Sequence, residues 1–345
     1  MQPSNFIIFR CDANHRIGWG HFVRCLALAE EFLLRGWEVL FLSDLQDSPW
    51  AQAQLRNRGI AFAGAAGYDP AWLAQYAAER FAAAVIIDSY EPNENFFRTL
   101  QGHAFLVMVL DDEGGRRLPV DIVLNQNFGA EKIEYQVRDD TICLQGAAYA
   151  LLRDNISAAR EKSTTRTFAD TVARVLVIMG GADPSALTEK VVQALLDTAW
   201  PIQIRAVLGD VGRAEELGRK PLQNTQALEV LIQAADLSES LLWCDLALSA
   251  AGSTCWELAC LGTPMALILT AENQKVAYEQ LTAAGIALPL GPGDGLTSAG
   301  LRRALAPLVN NREARRAMGQ AGAELIDGQG RRRVADEIVK RISSR

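Results

Sequence analysis

Clustered positive charge is missing from this chain of 345 residues: 34 Lys and Arg stand against 41 Asp and Glu, a formal charge of −7. The one dense basic run is Arg331-Arg332-Arg333. Affinity for nucleic acid of any sequence rests on many clustered cations, so a nucleic-acid partner is not expected, and the triplet reads as the solvated face of a last helix. Long apolar runs are missing too. None approaches the ~20 residues that span a bilayer, and the start up to Phe6-Ile7-Ile8-Phe9 shows neither a basic leader nor an apolar segment of signal length. The third absence is paired cysteine. Cys11, Cys25, Cys143, Cys244, Cys255 and Cys260 are scattered with no Cys-x-x-Cys, and the closest two fall in an apolar helical pattern, which reads as packing and not as zinc binding. The expectation is a reduced cytoplasm, no membrane span and no metal.

What is present is an ordinary globular composition, 49% hydrophobic and 22% charged with 27 Gly and 12 Pro, which excludes a disordered tail, a collagen and a small disulfide knot. At roughly 100–200 residues per domain, two domains are expected. Apolar runs of strand length lie at 6–11, 38–42, 85–88, 105–110, 122–124, 175–179, 202–208, 246–249 and 265–269. Several are apolar almost throughout, as strands covered on both faces must be. Helical patterns separate them; in 21–35 Phe22, Leu26, Ala29 and Leu33 recur at steps of four, three and four before Gly36. The class is α/β. Between 155 and 171 the pattern lapses into polar residues (Arg160 to Arg166 among them) and a fresh apolar strand follows. The expected division is therefore a doubly wound Rossmann-like domain over 1–160, a second over 170–328 joined near 165, and a helix at 329–345 that packs back on the first.

Doubly wound sheets bind ligands outside the carboxyl ends of their strands, so the chemistry is sought in those loops. The first runs from Arg10 through Asp12, Gly18, Trp19 and Gly20 to His21. The glycines allow close backbone approach, a helix start favours an anion, and imidazole titrates near neutrality, as a general base must. A histidine in that place reads equally as a surface residue; the glycines, Asp12 and Arg24 one turn on tilt it toward function. Gly180-Gly181-Ala182-Asp183 matches a phosphate- or ribose-facing turn, and a plain tight turn as well. Ser249 to Glu257 offers Gly252, Ser253 and Thr254 at a helix start, with Glu257 on its first turn, where a carboxylate can accept both ribose hydroxyls. A capping box gives the same spacing. The loop with Asn273 and Gln274 suits a nucleotide or sugar, Tyr90 a sugar hydroxyl or a water, and Asp111-Asp112 reads as a helix cap before it reads as a magnesium site.

Taken in order, these anchors resemble a known family. Arg10-x-Asp12, Ile17-Gly18-x-Gly20-His21, Arg24-Cys25-Leu26-x-Leu28-Ala29, Asp88-Ser89-Tyr90, Asp111-Asp112, Gly146-x-x-Tyr149-Ala150-Leu151, Gly180-Gly181-x-Asp183, Ser249 to Glu257 and Asn273-Gln274 resemble the UDP-2,4-diacetamido-2,4,6-trideoxy-β-L-altropyranose hydrolases (PseG/SpsG-like) of pseudaminic acid biosynthesis. The resemblance implies a GT-B fold, two Rossmann-like domains facing a cleft. It implies hydrolysis of a UDP-sugar by water attacking the anomeric carbon with inversion, without metal or cofactor. On it His21 matches the general base, Tyr90 and Asn273 fall on active-site positions, and Glu257 matches the ribose-binding acid. Asp12, Gly18, Gly20, Arg24, Gly180, Gly181, Asp183, Gly252, Ser253, Thr254 and Gln274 are expected around the substrate, Asp12 and Arg24 either touching it or ordering the loop. One departure is Trp19, where the family commonly has a small residue; its indole stacks on a sugar or fills part of the pocket, and the exact sugar stays open. Two other readings remain: an inverting GT-B glycosyltransferase, and a silent UDP-sugar-binding protein. A monomer is compatible with the sequence, which does not give the oligomeric state.

Overall fold

The computed structural model describes residues 4–13, 19–46, 48–65, 67–180, 183, 185–223, 225–232 and 236–345, with Asn273 described in its backbone alone. The chain divides into two units. The first holds residues up to Asp154 together with Gly328–Arg345, the second Asn155–Asp327.

The first unit opens with strand β1 (Phe6–Cys11), helix α1 (Gly20–Leu34), β2 (Glu38–Leu42), α2 (Pro49–Asn57), β3 (Ala61–Ala63), α3 (Pro70–Glu79), β4 (Ala84–Asp88), α4 (Glu94–Thr99) and β5 (Leu106–Leu110). It continues through β6 (Arg117–Leu118), β7 (Ile122–Asn125), β8 (Gln136–Val137) and β9 (Ile142–Gln145). Its main sheet is ordered β3-β2-β1-β4-β5-β7-β9, while β6 and β8 pair apart from it. The sheet is parallel throughout. Side chains alternate across a strand, and β1 sends Ile7 and Phe9 to one layer with Phe22, Leu26 and Ala29 of α1. Ile8 goes to the other, with Phe96, Phe97 and Leu73. Both faces of β1 are therefore covered, which is why it reads as an unbroken apolar run. Gly36, at φ +76, supplies the left-handed residue that ends α1.

The second unit begins in α5 (Asp154–Ser163) and runs through β10 (Arg174–Ile178), α6 (Leu187–Leu196), β11 (Gln203–Leu208), α7 (Val211–Gly218), β12 (Ala227–Ile232), α8 (Ser238–Trp243), β13 (Leu246–Ala250), α9 (Thr254–Cys260), β14 (Met265–Leu269), α10 (Lys275–Ala283), β15 (Ala287–Pro292), α11 (Ser298–Val309) and α12 (Arg312–Leu325). Its sheet order is β12-β11-β10-β13-β14-β15, the doubly wound order, and all of its pairs are parallel. The polar stretch read as a connector begins as a helix with a structural task. Arg160 of α5 donates to the carbonyls of Cys260 and Ile326 at 2.6 Å and of Ala323 at 2.7 Å.

The last helix, α13 (Gly330–Ser343), belongs to the first unit. Val334, Ala335 and Ile338 complete the layer under α1, while Arg331 pairs with Glu30, Glu31 and Asp154. A Cβ on Gly330 would overlap the carbonyl oxygen of Ala150, a backbone atom that cannot swing aside. Gly330→Ala is therefore expected to destabilise the first unit by about 1–3 kcal/mol, read as a lowered Tm; an unchanged Tm would mean that α13 moves freely.

Candidate active site

Strand order reverses beside β1 in the first unit, between β1 and β4, and there Cys11 pairs in register with Asp88. In a doubly wound sheet this is the ligand-binding edge. Trp19 is the N-cap of α1 and gives no side-chain cap, so Gly20 and His21 open the helix directly. His21 Nδ1 lies 2.5 Å from Asp88 Oδ1 at the end of β4. Arg24, one turn further along α1, meets Asp88 as a fork, Nε to Oδ2 at 2.6 Å and Nη2 to Oδ1 at 2.7 Å. Its remaining nitrogen, Nη1, donates to both oxygens of Asp112 at 2.9 and 2.8 Å.

This arrangement settles proton positions. Asp88 is 1% exposed. Burial pushes its carboxyl toward neutrality, but Arg24, through its charge and its hydrogen bonds, together with the His21 contact, outweighs burial and holds the group well below the usual carboxylate range. An ionised Asp88 only accepts, so Nδ1 carries the proton and Nε2 is left with its lone pair; Nε2 has no partner among the described residues. Tyr90 stands edge-on to the imidazole, ring centroids 5.0 Å apart, and its hydroxyl donates to Asp112 Oδ2 at 2.9 Å. Burial, then the Asp112 charge, raises the phenol above its ordinary value, so Tyr90 stays a donor. Arg116 fixes the loop that carries it, through the carbonyl of Pro92 at 2.9 Å and Asp111 at 2.6 Å.

Several expected ligand contacts are engaged elsewhere. Asp12 pairs with Arg10 at 2.5 Å and accepts the Asp44 amide at 2.8 Å, so it orders the loop. Arg24 is occupied by two carboxylates and acts likewise. Asp111 accepts from the amides of Glu113 and Gly114 and from Arg116, which makes it a turn cap. The Trp19 indole donates to Ser48 at 2.8 Å and packs edge-on to Trp50 at 6.0 Å, filling space against the core layer. Ile17 and Gly18 lie outside the described residues.

In the second unit the order reverses between β10 and β13, where Ile178 pairs with Ser249. Gly180 follows β10 at φ +88; Gly181 is outside the described residues. Asp183 caps α6, its two oxygens on the amides of Leu187 at 2.9 Å and Thr188 at 3.0 Å, with Arg213 Nη2 at 3.1 Å. Both oxygens thus serve the helix start. Ser253, the N-cap of α9, makes no side-chain cap bond; its backbone is already helical at φ −57 and ψ −25. Thr254 is the first residue of α9, and Glu257 sits one turn on with 6% exposure. Gly252 faces the neighbouring loop: a Cβ there would lie 3.6 Å from Gln274 Nε2, and Gln274 Oε1 accepts from Thr270 at 2.7 Å. The loops after β13 and β14 thus converge. The side chain of Asn273 is outside the description.

The sequence shows Asp88 as a strand end and a motif anchor but not as the partner of His21 and Arg24, and it gives Asn127 and Arg116 no role. The available signals were a carboxylate closing the apolar run Ala84-Val85-Ile86-Ile87 and the three-residue spacing of His21 and Arg24, which puts both on one helix face.

No family model matches the chain. The spore coat polysaccharide biosynthesis protein SpsG of Bacillus subtilis is 25% identical over 228 residues, 65% of this chain and 66% of that protein, so the chain spans just under two thirds of that relative's length. Among solved structures, MurG of Acinetobacter baumannii superposes with a TM-score of 0.69 at 16% identity, over 97% of this chain and 99% of that one. CalG4, the calicheamicin glycosyltransferase, gives 0.62 at 15% identity, over 99% of each chain. These two show the fold, which is GT-B. The similarity to the spore coat protein supports the PseG/SpsG-like resemblance that the ordered motifs carry, and the chain has the GT-B fold.

Proposed function

We propose that the protein hydrolyses a UDP-linked 2,4-diacetamido-2,4,6-trideoxyhexose of the altrose type, by direct inverting attack of water at the anomeric carbon, in nonulosonic (pseudaminic) acid biosynthesis. The observation that carries this reading is the His21–Asp88 pair. It leaves a basic nitrogen with no partner among the described residues, at the ligand-binding edge of the sheet. His21 Nε2 takes a proton from the water as its oxygen bonds to the anomeric carbon, and the bond to the UDP oxygen breaks. Asp88 balances the imidazolium that forms. UDP is already a good leaving group, so main-chain N–H groups around Gly252, Ser253 and Thr254 suffice to receive its charge. Glu257 accepts the ribose hydroxyls, Tyr90 and Asn273 contact the sugar, and Gly20, Gly180 and Gln274 line the substrate.

The test is direct. The full chain is incubated, with chelator present, with the UDP-linked diacetamido-trideoxy-altrose, and UDP release and the product anomer are followed by NMR. Inverted free sugar is the expected product. Turnover only with an added acceptor would make the protein a transferase, and tight UDP binding without turnover on any nucleotide sugar would make it a silent binder. Charge-assisted hydrogen bonds carry about 1.5–3 kcal/mol each, so losing two of them in Glu257→Ala is expected to weaken UDP binding by at least about 100-fold by calorimetry. Unchanged affinity would leave Glu257 a packing residue.

A further inference from the structure

Asp112 gathers more donors than a turn residue needs. Its carboxylate accepts Arg24 on both oxygens, the Tyr90 hydroxyl on Oδ2 at 2.9 Å, and Asn127 Nδ2 on Oδ1 at 2.9 Å. The donors come from α1, from the loop after β4 and from the segment after β7. Guanidinium is a rigid planar fork, so holding Arg24 at Nη1 aims its other edge, Nε and Nη2, at Asp88.

The charges point the same way. With His21 neutral, one cation (Arg24) and two anions (Asp88, Asp112) leave this cluster one net negative charge. A proton arriving on His21 cancels it. Without Asp112 the same proton would turn a neutral, largely buried cluster positive, which is the costly direction.

We propose that Asp112 is a positioning residue for His21, acting through Arg24: it sets the fork that keeps the Nδ1 proton on Asp88 and supplies the negative charge that the incoming proton neutralises. The kinetic consequence rests on the hydrolase reading; the proton arrangement does not. Among the described residues, the ionisable groups around His21 are Asp88 from β4, Arg24 from α1, Tyr90 from the loop after β4 and, through Arg24, Asp112.

Asp112→Asn and Arg24→Lys in the full chain separate charge from geometry. The protein has three histidines, so His21 is assigned in ¹⁵N spectra by its loss in His21→Ala. In the ligand-free wild type the Nδ1–H tautomer is expected alone. Asp112→Asn is expected to mix the tautomers, to lower kcat about 10- to 100-fold, as loss of an outer partner of a working histidine does, and to change KM less than about threefold. Its acid-side fall in rate should also move to lower pH, because the protonated base has lost a stabilising anion. Arg24→Lys keeps the charge but not the fork, and should mix the tautomers without moving that limb. Asp112→Asn with wild-type kcat and an unmixed tautomer overturns the proposal. So does a lowered kcat with an unmoved acid limb and an unmixed tautomer, which is the mark of a structural prop. If Asp112→Asn fails to fold, an unmixed tautomer in Arg24→Lys overturns it. Should the wild type turn over no nucleotide sugar, the functional reading falls and the ¹⁵N comparison still decides the role of Asp112.

Discussion

His21→Ala is expected to lower kcat by about 10²–10⁴-fold, the usual contribution of a positioned general base, while the chain folds and binds UDP as before. Folding should survive because Asp88 keeps its two bonds to the Arg24 fork, so its charge remains paired. The loss is one hydrogen bond from a side chain that is 12% exposed, a cost on the order of 1 kcal/mol. UDP binding should persist because the groups assigned to the nucleotide belong to the second unit. The comparison that matters is kcat against UDP affinity, measured on one preparation. Full turnover in His21→Ala would remove the base from the mechanism and reopen the acceptor-dependent reading.

The fold was readable where strands are covered on both faces and not where they are not. The nine apolar runs taken from the sequence correspond to β1, β2, β4, β5, β7, β10, β11, β13 and β14, the strands with a partner on each side. The four that went unread in the two large sheets, β3, β9, β12 and β15, are the edge strands. An edge strand is half exposed and short or broken in pattern: β12 alternates exposed with partly buried residues, and β15 contains Pro289, Gly291 and Pro292. The site divides in a similar way. Residue type and loop position pointed to His21, Glu257 and the glycines. They could not tell a carboxylate that faces a ligand from one that holds the scaffold, since both are acids at strand ends. Asp12 holds Arg10 and the Asp44 amide, and Asp183 the start of α6. That distinction depends on which donors arrive from distant segments, as Arg213 does at Asp183 and Arg24 at Asp88.

Asp88→Asn should be as damaging as loss of the base, and it should damage stability as well. An amide cannot accept at both positions. If its NH₂ replaces Oδ1, it meets the Nδ1 proton of His21 and Arg24 Nη2; if it replaces Oδ2, it meets Arg24 Nε. The first placement is relieved only when His21 shifts its proton to Nε2, the nitrogen that must take a proton from water. In the Ser-His-Asp triad that substitution and that wrong tautomer cost about 10⁴ in kcat, and a loss of about 10³–10⁴ is expected here, with Nε2–H signals in the ¹⁵N spectrum. Arg24, 7% exposed, loses one of its two anions; breaking a buried pair costs about 3–5 kcal/mol, and the lower end is expected because Asp112 remains. The pH dependence has a definite sign. The Asp88 carboxyl is held low in the folded chain, so its contribution is fully present above the unfolded carboxyl's value of ~3.9 and is lost as pH falls below that. Asp88→Asn, with nothing to titrate, should therefore show a lower Tm at neutral pH and a shallower decline on the acid side. A neutral-pH Tm equal to wild type would mean that Arg24 is compensated without Asp88, and the relay from Asp112 to His21 would lose its middle member.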